Sequence, residues 1–172
     1  NEPEEQPVEP VPKKHNRAKI LIGLIVGLIV LIPFSVYLIN KRSYSKEKSI
    51  AVLPFINDSQ DSTNVYFING VTETITDKLA QIKDLEVKSR TSAERYRNNK
   101  TKSIPQIAHE LGVKYILEGS GQKIGDTVLV TVQLIETRKD NHILSHQYRG
   151  KYGDILTLYN EIAFDVAAKI KA

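Results

Sequence analysis

The hydrophobic positions of the chain form one long uninterrupted run and then a series of short, patterned ones. Residues 20–39 read ILIGLIVGLIVLIPFSVYLI and contain no charged side chain. A helix of about 20 apolar residues crosses the roughly 30 Å hydrocarbon core of a bilayer. Asn40, Lys41 and Arg42 follow directly, in place of the small residues that mark a signal-peptide cleavage site. The pattern therefore predicts a single transmembrane helix over residues 19–40 that stays in the mature protein.

The segments on either side of this run are polar. Residues 1–18 are acidic and proline-rich and then basic, so we expect a disordered linker, because they offer little surface to bury. Residues 41–48 form a juxtamembrane linker before the folded region. Basic residues flank the helix at both ends, so the positive-inside rule does not decide its orientation. Because the chain opens with Asn1 and not with Met, we expect a piece of a longer protein.

Gly23 and Gly27 form a GxxxG pattern inside the apolar run. This spacing lets two membrane helices approach closely, so one hypothesis is a homodimer formed through these glycines. The alternative is that glycine is simply common in membrane helices.

Residues 49–172 alternate between strand-like and helix-like patterns. The run IAVLPF at residues 50–55 predicts a strand buried on both faces, whose Pro54 belongs at its end or at a sheet edge. Residues 64–82 repeat apolar side chains at intervals of three and four, which predicts an amphipathic helix. The remaining predictions are a strand at 85–90, a short helix capped by Thr91 with Glu94 that runs through Tyr96, a helix begun at Ser103 and ended at Gly112, a strand at 113–120 leading into a hairpin between 121–124 and 127–136, a strand at 142–150, and a last helix begun at Asp154.

The element order β-α-β-α-α-β-β-β-α indicates an α/β fold of the α+β type. We expect a mixed sheet with helices mainly on one face, preceded by the one transmembrane helix. In the strand at 127–136, the residues Val128, Val130, Val132 and Leu134 point to one face, whereas Thr127, Thr131 and Gln133 point to the other. One face of the sheet is therefore expected to pack against the hydrophobic core, and the other face to be partly exposed to solvent.

Composition and motifs argue against several kinds of chemistry. The chain has no cysteine, which excludes disulfides, zinc ribbons and thiol nucleophiles. Lysine and arginine outnumber aspartate and glutamate by only 24 to 20, too small an excess to indicate nucleic acid as a partner. Gly119-Ser120-Gly121 resembles half of a dinucleotide fingerprint, but it lies in a strand approaching a hairpin, where a close backbone contact is the favoured interpretation.

The acidic loop after the first strand also fails as a phosphate or calcium site. Residues 56–67 contain no glycine and no lysine, which excludes a Walker-type loop. A calcium loop would require glycine and glutamate where Ser62 and Ile68 stand. We expect Asp58 and Asp61 to cap turns instead. We therefore predict no catalytic, cofactor-binding or metal-binding residues, and no enzyme activity.

Several segments, in this order, resemble the TolB-like amino-terminal domain family: SIAVLPF, YFINGVTETITDKL, SRTSAERY, SIPQIAHELGVKYILEGSG and VTVQLIETR. The resemblance covers Ser49 to Ala172. It implies a bacterial single-pass membrane protein of the kind often linked to tetratricopeptide repeats, with this module in the periplasm and the segment before the helix in the cytoplasm. In similar proteins the upstream domain is commonly a DNA-binding regulator or a nucleotide cyclase.

We therefore expect a membrane-tethered periplasmic interaction or sensor module at the inner membrane. It would relay the binding of a protein partner or a small-molecule ligand to an upstream cytoplasmic domain, and nucleic acid is not expected as a partner of this segment. The predicted interaction surface comprises Thr131 and Gln133 on the wet sheet face, with Arg95, Tyr96 and Arg97 in a basic stretch that is otherwise a solvated loop. Two alternatives stay open, namely an envelope scaffold without signalling and an accessory region of an adenylate cyclase-type protein.

Overall fold

The computed structural model describes residues 47–170. The predictions for the acidic linker, the transmembrane helix and the contact through Gly23 and Gly27 lie outside these residues. Within residues 47–170, no helix is both long enough and apolar enough to cross a bilayer.

Within residues 47–170, six strands and four α-helices follow one another in nearly the predicted order. The addition is β2, a two-residue strand that resumes the sheet after Pro54. The elements are β1 (Ser49–Val52), β2 (Ile56–Asn57), α1 (Asn64–Ala80), β3 (Glu86–Val87), α2 (Arg90–Glu94), α3 (Ile104–Leu111), β4 (Tyr115–Ile124), β5 (Thr127–Glu136), β6 (Asn141–Lys151), a 3₁₀ turn (Tyr152–Asp154) and α4 (Ile155–Ile170).

The sheet is mixed, as expected, with the strand order β3-β1-β4-β5-β6. Strands β3, β1 and β4 are parallel, whereas β4, β5 and β6 form an antiparallel meander. All four residues of β1 are buried, which confirms the prediction of a strand covered on both faces. Pro54 follows the end of β1, where its missing N–H costs no ladder hydrogen bond.

The two long helices cover one face of the sheet. In α1, four residues of the predicted apolar stripe, Ile68, Val71, Ile75 and Leu79, are at most 1% exposed. The fifth, Ile82, lies beyond the end of the helix and is partly buried against the same core. The stripe packs with α4 against the alternate β5 residues Val128, Val130, Val132 and Leu134. This first face therefore holds the larger hydrophobic core.

The two short helices lie on the opposite face, which corrects the prediction that the helices pack mainly on one face. A second hydrophobic cluster joins these helices to the sheet. It contains Ala93 of α2, Ile107, Ala108 and Leu111 of α3, Ala51 of β1, Leu53 just after β1, and Ile116 of β4. The reason is topological. In the sheet, β3 lies on one side of β1 and β4 lies on the other side. The crossover from β1 to β3 contains α1, and the crossover from β3 to β4 contains α2 and α3. Because the two crossovers run in opposite directions and both follow the right-handed rule, their helices lie on opposite faces of the sheet.

The local signals at helix ends are confirmed for α3 and wrong for α2. Ser103 and Gln106 form the predicted capping box, and Gly112 ends α3 in the left-handed conformation, with φ of 65°. In α2, the N-cap is Ser89 and not Thr91, and the Ser89 hydroxyl accepts a hydrogen bond from the backbone N–H of Ser92. Both serine and threonine serve as N-caps, so composition alone does not choose between neighbouring candidates.

Gly119 and Gly121 are the close backbone contacts that their place in a strand predicted. A Cβ atom at Gly119 would lie 2.6 Å from the carbonyl oxygen of Thr131 and 2.8 Å from the ring of Phe55. At Gly121 it would lie 2.8 Å from the carbonyl oxygen of Leu129. The absent side chain at Gly119 makes room for Phe55, which is 2% exposed in the core.

Gly119→Ala is therefore expected to destabilise the domain by about 1–3 kcal/mol, because the added methyl meets backbone and a packed ring. Gly70→Ala is the control, since a Cβ there meets nothing within 4 Å, and a helical alanine should stabilise by about 0.5–1 kcal/mol. Urea denaturation of both variants measures the two effects. Equal stability of Gly119→Ala and the parent chain would contradict the close approach.

Candidate functional site

A cleft of about 270 Å³ lies on the second face of the sheet, where α2 and α3 stop covering it. Its apolar side comes from the segment after β1 and from α3, and its polar side comes from β4 and β5. The lining residues are Leu53, Pro54, Ile56, Tyr96, Asn98, Asn99, Ile104, Ile107, Glu118, Gly119, Ser120, Thr131 and Gln133.

Strand register produces the polar side of the cleft. Glu118 pairs with Gln133, and Ser120 pairs with Thr131, across the antiparallel ladder between β4 and β5. Directly opposite residues on one face have Cβ atoms about 5 Å apart, so these four side chains form a compact square. Val132 and Leu134 alternate with them and enter the core on the other face.

The structure brings three of the five predicted surface residues together. Tyr96, Thr131 and Gln133 all line the cleft, although the first lies far from the others in sequence. Arg95 and Arg97 do not line it. Arg97 forms an ion pair with Glu94 on its own turn of chain, and this contact lowers the pKa of Glu94. Whether these residues bind a partner stays a prediction.

One wall of the cleft is held by a small network around Glu110. The Tyr96 hydroxyl donates a 2.7 Å hydrogen bond to the Glu110 carboxylate, and the Lys102 ammonium donates to both of its oxygens. Lys102, followed by Tyr96, lowers the pKa of Glu110. Burial, followed by the bond to Glu110, raises the pKa of Tyr96. The network fixes the Tyr96 ring at the cleft by tying α2's end to α3.

The loop between α2 and α3 forms the rim. The Asn99 side chain accepts hydrogen bonds from the backbone N–H groups of Thr101 and Lys102, and its amide donates to the Lys102 carbonyl. Asn98 adopts a positive φ of 56°, which asparagine tolerates better than most residues. The rim is therefore a built turn, and it leaves the Asn98 side chain available.

Four lining side chains have no hydrogen-bond or ion-pair partner within residues 47–170. They are Asn98, Glu118, Ser120 and Gln133. Burial, as the main cause, raises the pKa of Glu118, with Asp140 adding to this shift and His142 opposing it. Asn98 is exposed and the other three are half-buried, so all four polar groups are accessible to a ligand. A few such groups beside an apolar wall are characteristic of a recognition site.

Glu118, Ser120 and Asn98 were not predicted as site residues. The signal for the first two was present, because Glu118 and Ser120 follow the apolar start of β4 and alternate with glycines, so that they share one face. Their meeting with Gln133 and Thr131 depends on the hairpin register, which the Gly125-Asp126 turn sets. Asn98 is placed by the tertiary fold, and no local pattern indicates it.

In the acidic loop after β2, the expected turn-capping role is confirmed for Asp61 and not for Asp58, whose side chain forms no hydrogen bond within residues 47–170. The Asp61 carboxylate accepts hydrogen bonds from the backbone N–H and the hydroxyl of Thr63, just before α1. The Asn57 side chain accepts from Ser59 in the same way. Among the described residues there is no group of three histidine or carboxylate side chains that would hold a metal ion.

Comparison with known proteins agrees with this architecture. Residues 45–164 match the family model for the second domain of HilA/YgeH-like transcriptional regulators. A Rhizobium meliloti (strain 1021) protein named "Putative adenylate cyclase 3" is 36% identical over 114 residues, which make up 66% of this chain. The chain spans only 19% of the length of that relative.

A solved structure supports the resemblance to TolB at the level of the fold. TolB from Acinetobacter baumannii superposes on 75% of this chain with a TM-score of 0.54, and the match covers 29% of the TolB chain. Sequence identity is 16%, so the likeness concerns the fold alone. Residues 47–170 therefore have a TolB-like fold, while the transmembrane helix and the adjoining repeats stay predictions.

Glu118 gives the site a testable pH dependence. Because its pKa is raised in the folded state, the unfolded chain releases this proton first, and stability is lost as the pH rises through that range. The Glu118→Gln variant carries a neutral amide at this position, so it does not lose this part of its stability as the pH rises. We expect the variant to be more stable than the parent at pH 7, by less than about 1 kcal/mol, with the difference vanishing below about pH 4. Thermal denaturation at several pH values measures it.

Glu94→Gln is the matched control with the opposite sign. Its pKa is lowered by Arg97, so this variant should lose stability at pH 7 and recover parent-like stability in acid. If Glu118→Gln instead destabilises at pH 7, the side chain has a stabilising partner that the cleft geometry does not contain.

Proposed function

The chain belongs to the family of second domains of HilA/YgeH-like transcriptional regulators, and from this premise we propose that it is a non-enzymatic recognition module. In this proposal, residues 49–172 bind a partner protein and relay that state to an output domain of the same polypeptide. A second domain of a regulator works beside another domain. The 36% identical stretch in a protein named as a cyclase occupies 19% of that protein, so the same kind of module accompanies a differently named output. A module that occurs beside different output domains is more readily explained as the part that receives a signal than as the part that produces the output.

The observation that carries the proposal is the cleft beside Tyr96. It combines an apolar wall with polar side chains that the described domain leaves without partners. Sites that recognise ligands or peptides typically have this composition, with apolar area for affinity and a few polar groups for orientation. Thr131 and Gln133 are in the polar part, and the face continues across β6, where Gln147 donates a hydrogen bond to Thr131.

The proposal includes a membrane tether. Residues 19–40 would cross the inner membrane once, placing residues 41–172 in the periplasm and the output domain, a regulator or a cyclase, in the cytoplasm. The support is the uninterrupted apolar run and the resemblance to TolB-like modules in single-pass proteins. Downstream tetratricopeptide repeats would then adjoin α4 on the periplasmic side.

A scaffold role without signalling is the second candidate. Leu156 is 66% exposed and Phe164 is 74% exposed on α4. They are eight residues apart, just over two helical turns, and so lie on one side of the helix. A neighbouring repeat domain would bury this apolar stripe, in which case α4 would position that domain and the cleft would have no role.

Photo-crosslinking in the native host separates these roles. A photoreactive residue at Thr131 is expected to crosslink to a discrete partner protein, because it lies in the cleft. The same residue at Thr74, on the exposed side of α1, is the matched control and should give no such product. Crosslinks from Phe164 with none from Thr131 would contradict the recognition role and favour the scaffold.

The topology has its own test. Reporter enzymes that are active in only one compartment, fused after Ala172, should report the periplasm. A cytoplasmic signal would overturn the proposed orientation while leaving the role of the cleft open to the crosslinking experiment.

A further inference from the structure

We propose that the cleft receives a lysine or arginine side chain from an extended segment of the partner protein, with Glu118 as its counter-ion. This inference rests on the proposed recognition role and names the chemistry that the site selects. It follows from charge, shape and strand geometry.

The charges around the cleft are complementary to a cation. Glu118 is the one carboxylate among the lining residues of this cleft, and no lysine or arginine lines it. The nearest charges that act on it are His142 and Asp140, and Glu118 forms no ion pair within residues 47–170. Two basic side chains of the adjacent basic stretch are already engaged, since Arg97 pairs with Glu94 and Lys102 with Glu110.

The walls of the cleft fit the rest of such a side chain. Lysine and arginine bury their aliphatic stems along apolar surface while the charged head keeps polar contacts. Leu53, Ile104 and Ile107 supply that surface beside Glu118. Ser120 and Gln133 add neutral oxygens that accept further hydrogen bonds from an ammonium or a guanidinium, which carry three and five donors respectively.

The cleft has room for an inserted side chain. Its volume of about 270 Å³ lies close to the lower end of the roughly 300–1,000 Å³ typical of small-molecule sites, and competition with a free diamine in the test below distinguishes the two kinds of ligand. The cleft also opens onto the polar face of β5 and β6, so a longer segment has a surface to lie on.

Strand spacing decides how that segment approaches. A strand added to the free edge of β6 would be separated from β4 by β5 and β6, which is three spacings of about 4.8 Å, or about 14 Å. No lysine on such an added strand would reach Glu118 on β4. Strand addition at the β6 edge therefore does not fill this cleft, whereas a segment that lies across the sheet face beside β2 and β4 reaches Glu118.

Selection from a displayed peptide library on the full 172-residue chain tests the inference. The parent chain should enrich peptides with lysine or arginine at one position. Glu118→Gln should bind those peptides at least about tenfold more weakly, the scale of a lost charge-assisted hydrogen bond. Glu118→Lys should enrich aspartate or glutamate instead. Glu136→Gln, at the other end of the β4–β5 pair, is the control and should bind like the parent.

Folding of each variant is checked by its melting temperature, so loss of binding in a folded Glu118→Gln protein bears on the cleft itself. Enriched peptides without a basic residue, or equal binding by Glu118→Gln, would overturn the inference while the recognition role survives. Failure of any peptide to bind, together with no crosslink from Thr131, would overturn both. If the free diamine putrescine binds the cleft with the same affinity as the peptides, the cleft is a site for small cations, and the inference would also be overturned.

Discussion

The burial of β1 on both faces is the constraint on which the rest of the domain depends. Ile50 and Val52 enter the core beneath α1 and α4, whereas Ala51 and Leu53 enter the core beneath α2 and α3. A strand of this kind needs a helical layer on each side of the sheet. The two crossovers provide those layers. The connections from β1 to β3 and from β3 to β4 run in opposite directions across the sheet, and because both are right-handed their helices cover opposite faces.

The two layers differ in extent, and the cleft results from that difference. The helices α1 and α4 have 17 and 16 residues and cover the first face along the length of β5, while α2 and α3 have only 5 and 8. The short helices cover the start of β4 around Ile116 and leave Glu118 and Ser120 beyond their edge. A partly buried carboxylate with a raised pKa is a cost to stability, and such costs are commonly retained where a surface serves function.

The relatives place this domain in a modular context. The family is named for a regulator's second domain, and a 36% identical stretch makes up a short part of a protein named as a cyclase. The TolB-like fold recurs at 16% identity, which shows how little of the sequence the fold requires. What distinguishes one such module from another is then expected in the polar residues on the less covered face, and in this chain those are Glu118, Ser120, Thr131 and Gln133.

Much of the fold was readable from the sequence because its signals are local. Periodicity identified α1 with its buried stripe, the capping box and Gly112 bounded α3, and alternation assigned Thr131 and Gln133 to the wet face. The close backbone approach at Gly119 was also indicated by its place in a strand. The side of the sheet that α2 and α3 occupy was not readable, because an apolar helix face requires burial without specifying which surface buries it. For the same reason, only the tertiary structure brought Tyr96 and Asn98 to Glu118 and Gln133: strand register, crossover direction and helix length act together over distances that no local pattern records.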